Sequence, residues 1–157
     1  MIWALDNILV NFYNQNLAGR PTGPNQNVTV NCQGTGNVNI SGTTSYDASH
    51  GITSASPLVY TMTNCQASVV SSDGSLSAAL TLTGVMNENG SWNAPSYASV
   101  AYQANANLGM TGTITSRGFA PATISQSCSV GFSSSISSTS NTLVGTVCGR
   151  PASVTGQ

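Results

Sequence analysis

Four cysteines, Cys32, Cys65, Cys128 and Cys148, are the residues of this chain best suited to chemistry, and the chemistry they suit is disulfide formation. Their number is even, no two form a Cys-x-x-Cys pair, and no histidine stands near them in sequence to complete a zinc site. Paired in order, Cys32 with Cys65 and Cys128 with Cys148, they enclose the predicted turns near Asp47 to Gly51 and near Ser137 to Asn141. Sequence alone leaves the other two pairings open. Structural bridges persist in oxidising compartments, so the expected location is extracellular or on a cell surface, with a periplasm also compatible.

Catalysis is short of parts. The carboxylates are Asp6, Asp47, Asp73 and Glu88, and His50 is the sole histidine. General acid–base work needs two carboxylates held at one site. Here Asp6 falls on a predicted helix, where it suits the first turn, and the other three fall in predicted turns or loops. Asx-turn and capping roles account for Asp47 and Asp73. His50 could join Asp47 and a serine in a Ser-His-Asp arrangement, yet no nucleophile-elbow sequence accompanies it, and Asp47-Ala-Ser-His-Gly51 reads as an exposed turn. The sequence has no ligand cluster for zinc or calcium and no phosphate-cradling glycine loop. The expectation is a protein that is not an enzyme, with no catalytic residue, metal or cofactor.

Charge excludes further classes. Only 4% of the 157 residues are charged, the net charge is −1 and there is no lysine. The cations Arg20, Arg117 and Arg150 are too few and too scattered to bind nucleic acid or an anionic membrane surface. No apolar run is long enough to span a bilayer, and Met1 to Val10 lacks the basic n-region of a signal peptide, so an export signal or anchor is expected to lie outside this sequence. Low net charge with 39% hydrophobic residues argues for an ordered chain whose copies repel one another weakly.

The elements that would position these residues change character along the chain. Ile2, Leu5, Leu9 and Phe12 recur at spacings of three and four, which predicts an amphipathic helix from about Ile2 to Leu17, within an N-terminal segment 1–19. Gly19, Pro21 and Pro24 end it and open a linker over 20–26. From residue 27 to 157 the period is two. Ala98, Val100, Tyr102, Ala104, Ala106, Leu108 and Met110 fall on one face and Ser99, Gln103, Asn105, Asn107 and Thr111 on the other. Leu76 to Met86 and Ile124 to Ile136 alternate likewise. With strands at Asn27 to Cys32, Asn37 to Tyr46, Leu58 to Ser68 and Thr142 to Cys148, and turns such as Ser71 to Gly74 and Asn87 to Ser96, seven strands are expected. The predicted fold is mainly β: an N-terminal helix followed by a long-stranded antiparallel meander that forms a curved sheet or flattened sandwich, as one folded unit with two disulfides.

Asn64-Cys65, placed at a predicted strand end, Leu80-Thr-Leu-Thr-Gly84 and Gly145-Thr-Val-Cys-Gly149 resemble uncharacterised Ser/Thr/Gly-rich secreted proteins and lipoproteins of Gram-negative bacteria. The order of helix, antiparallel sheet and late cysteine pair is similar to the layout of type IV pilins, although Met1 to Asp6 does not match their mature N-terminus. Neither resemblance implies a functional residue.

Function is therefore sought in surfaces. The expected role is a structural or adhesive surface protein, such as a filament subunit, that associates with itself or with a surface-layer partner. Ile2, Leu5, Leu9 and Phe12 would dock on the sheet or await a partner. Trp92 and Tyr97 would anchor a partner, stack on sugars or latch the sheet edge. The alternative role is a binding module for carbohydrate, ice or lipid.

Overall fold

A computed structural model of the chain describes residues 1–17, 25–47, 52–93, 99–137 and 140–156. Helix α1 runs from Ile2 to Asn16, and eight strands follow: β1 (Asn25–Asn31), β2 (Asn37–Asp47), β3 (Ile52–Val70), β4 (Leu76–Asn93), β5 (Ser99–Ser116), β6 (Ala122–Ser137), β7 (Asn141–Val147) and β8 (Arg150–Gly156). The strands form one antiparallel meander in chain order, and β1 and β8 are its free edges, so the sheet is not closed.

Alternation sets which face is buried. Ala78, Leu80, Leu82, Met86 and Glu88 of β4 point inward, as do Tyr102, Ala104, Ala106, Leu108 and Met110 of β5, while the residues between them face solvent or its margin. The helix lies on this inner face and touches β3 on one side and β7 and β8 on the other. A sheet whose third and seventh strands both reach one helix is strongly curled around it. Ile2, Ala4, Leu5, Ile8, Leu9, Phe12, Tyr13 and Leu17 join the sheet's apolar residues in one core. Each large side chain so covered contributes roughly 1.5–3 kcal/mol.

Both disulfides pair as expected, Cys32 with Cys65 and Cys128 with Cys148. Their placement is alike at the two edges. Cys32 stands in the β1–β2 turn and is tied to β3, and Cys148 stands in the β7–β8 turn and is tied to β6.

Several expectations are corrected. The described residues form eight strands rather than seven, because Arg150–Gly156 returns along β7 after a two-residue turn in which Cys148 and Gly149 both take positive φ, 52° and 74°. This is the turn that matches the twist of a tight hairpin. Asn87 to Asn93 continues β4 rather than forming a loop, since its backbone is laddered on both sides, to β3 and to β5. Asn25 and Gln26 belong to β1 and not to a linker, and Asn64 lies within β3, not at its end. There the register shifts between Met62 and Cys65, Asn64 takes φ 47°, and burial passes from even positions to odd ones.

Candidate functional site

A pair of carboxylates lies between the helix and the sheet. Asp6 and Glu88 are only 9% and 0% exposed. The helix brings Asp6 inward because it falls on the apolar stripe, one turn after Ile2 and one turn before Leu9 and Val10. Glu88 is inward because it keeps the phase of Leu82 and Met86. The Tyr60 hydroxyl donates to Glu88 Oε2 at 2.7 Å, and the Tyr102 hydroxyl donates to Asp6 Oδ1. Gly90, opposite Tyr102 on β4, leaves the space this tyrosine needs: a Cβ there would stand 2.3 Å from the Tyr102 Cβ.

The electrostatics follow from burial. Desolvation raises the Asp6 pKa above its ordinary value, opposed by the Tyr102 and Ser134 hydroxyls. Tyr60 and Tyr102 are both pushed up, first by burial and then by the carboxylates they face, so both remain protonated donors. Glu88 has no exposed surface, and Asp6 keeps only a small part of its own. The cluster ties helix to sheet through hydrogen bonds to hydroxyls, and it corrects two expectations: Asp6 is a buried acceptor rather than a first-turn charge, and Glu88 is a core strand residue rather than a loop residue.

The remaining acids and the histidine are elsewhere. Asp73 makes the expected Asx-type turn, accepting from the Ser71 and Ser75 hydroxyls and the Ser75 N–H, and these bonds lower its pKa to about 2. Asp47 ends β2, and His50 lies outside the described residues. Among the described residues no group of three or more His, Cys, Asp or Glu could hold a metal ion. No helix among them is long and apolar enough to cross a membrane.

Ile2, Leu5, Leu9 and Phe12 are buried on this chain's own sheet. Their face already has its cover. Trp92 stands near the end of β4, its backbone opposite Thr53 and Val100, and Tyr97 lies outside the described residues. A depression of about 690 Å³ opens at the start of α1, between Trp3, Ile114, Val147 and Ala152, and none of its lining residues belongs to the carboxylate cluster.

The outer face carries an uncharged polar grid, with Val85 and Val144 exposed within it, and the sheet has two edges. On the outer face Asn39 Nδ2 donates to Asn27 Oδ1 and to Thr29 Oγ1, Ser129 Oγ donates to Asn107 Oδ1, and Thr83 Oγ1 donates to Asn64 Oδ1. The β1 edge, Asn25-Gln-Asn-Val-Thr-Val-Asn31, has neither charge nor proline, whereas β8 carries both in Arg150 and Pro151. Comparison of the chain with protein-family models, with curated proteins and with solved structures finds no match.

Proposed function

We propose that this chain is a non-enzymatic structural or adhesive subunit of an extracellular or cell-surface assembly, working by association with copies of itself or with a surface-layer partner. The observation that carries this reading is the open sheet, with a seven-residue β1 edge that has no lysine, no charge and no proline to discourage pairing. Two disulfides suit an oxidising location. A net charge of −1 over 157 residues offers little repulsion between copies. Sedimentation across a wide concentration range, with micrographs of the same samples, tests it: discrete oligomers or filaments are expected, and a strictly monomeric species would overturn self-association and promote the ligand-binding role.

A second reading has its own support. The outer grid of Asn, Ser and Thr side chains is uncharged and hydrogen-bonding, as a surface for carbohydrate or ice would be. Lipid is disfavoured, because the apolar face is already covered by α1. Glycan-array binding or inhibition of ice recrystallisation by a monomeric protein would favour this second role.

A further inference from the structure

We infer that β1 pairs with β1 of a second copy, antiparallel and centred on Thr29, to give a closed two-fold dimer; the inference rests on the self-association reading above.

The segment Asn27-Val-Thr-Val-Asn31 reads the same in both directions. Set antiparallel to itself about Thr29, it places Asn27 opposite Asn31 of the second copy, Val28 opposite Val30, and Thr29 opposite Thr29. Like residues then meet on each face. Cross-strand pairs of β-branched residues are among the favourable ones, and none of these pairs brings like charges together. A two-fold interface demands this kind of self-complementarity.

Backbone geometry agrees with the same centre. The Cys32 N–H donates to Gly36 O at 3.2 Å, which fixes the phase of the β1–β2 ladder. Val28 and Val30, opposite Ile40 and Val38, therefore direct their peptide groups toward β2, and Asn27, Thr29 and Asn31 direct theirs away from it. New ladder bonds must join outward-directed residues on both strands. Centring on Thr29 pairs Asn27, Thr29 and Asn31 only with one another. Asn39, donating to both Asn27 and Thr29, braces the outer side chains of this segment in place. On the inner face Val28 and Val30 are half-buried in the single copy, and pairing would cover them.

The other edge is blunted. By the same phase argument, from Cys148 N–H donating to Ser129 O, the outward positions of β8 are Pro151, Ser153 and Thr155. Pro151 has no N–H to give there, and Arg150 adds charge. One edge is thus guarded and one is not, which selects β1 with β1. Five paired residues make a small interface, so a concentration-dependent dimer is expected.

Charge reversal at the two-fold centre tests this. Thr29 is exposed on the outer face, so Thr29→Lys and Thr29→Glu are expected to fold, with circular dichroism as the check. Each alone should weaken dimerisation about tenfold or more, because like charges meet across the axis, and an equimolar mixture of the two should restore the dimer. Ser153→Lys on β8 should leave it unchanged. If wild-type protein associates and Thr29→Lys associates equally well, β1 pairing is wrong while the assembly reading stands. If wild-type protein stays monomeric at millimolar concentration, β1 pairing and the self-association reading both fail.

Discussion

The Tyr102 hydroxyl donates to the Asp6 carboxylate, joining α1 to β5 across 96 residues of sequence. Burial of this carboxylate, which outweighs the bond, makes helix docking responsive to pH in a direction opposite to ordinary acid denaturation. Burial raises the Asp6 pKa above its ordinary value of 3.8. A group whose folded pKa is raised stabilises the fold fully below its unfolded pKa, and that contribution is lost as pH rises through the folded value. Asp73 works the other way, its contribution being present above 3.8 and lost as pH falls through about 2. Melting temperature is therefore expected to decline from just above pH 4 toward pH 7, and Asp6→Asn should flatten that decline. A wild-type profile that climbed over this range would reject the buried carboxylate.

Tyr60→Phe removes a donor from a carboxylate with no exposed surface. The expected loss is about 1–3 kcal/mol by denaturant unfolding. A double-mutant cycle with Glu88→Gln should return a coupling of about 1 kcal/mol or more. Strictly additive single changes would mean that the 2.7 Å contact does not contribute.

Leu9 has no exposed surface, and Val85 is 40% exposed on the outer face. Leu9→Ala should cost about 2–5 kcal/mol through lost burial and a residual cavity. Val85→Ala should stay within about 0.5 kcal/mol. Equal effects at the two sites would contradict docking of the helix on the sheet.

The Cys32–Cys65 bridge spans 33 residues and the Cys128–Cys148 bridge 20. Replacing either pair with alanines should cost roughly 3–4 kcal/mol on the chain-entropy account. Peptide mapping without reductant should recover these two pairs. Recovery of Cys32 joined to Cys128 or Cys148 would contradict the pairing.

Much of the fold was legible because period and phase are local properties. The three-and-four spacing from Ile2 to Phe12 marked the helix, and alternation from Ser99 to Met110 marked β5. The bridges were legible because each closes on a nearby turn. What escaped was held by partners rather than by pattern. Arg150–Gly156 contains a proline and little apolar alternation, so its strand character comes from pairing with β7. Asn87–Asn93 is turn-like in composition, yet ladders on both sides hold it extended. The carboxylate cluster had signals in plain view, since Asp6 shares the helical stripe and Glu88 shares the phase of Met86. Composition, which assigns acids to surfaces, outweighed phase in both cases. The tyrosines that satisfy them come from two other strands, and no local spacing links those positions.

The covalent ties at the two outermost hairpins bear on how the sheet would carry a load. The interior strands β4 and β5 are 18 residues long, so the ladder between them can share a sideways pull among many hydrogen bonds. The strands β1 and β8 are only 7 residues long, and a peeling force applied at their turn ends would otherwise open them one bond at a time. Cys32–Cys65 and Cys128–Cys148 bridge the tips where such peeling would start. Tension entering through either margin is thus passed by a sulfur–sulfur link to β3 or β6, where the longer ladders begin. Under reducing conditions the margins should tear first while the middle of the sheet holds.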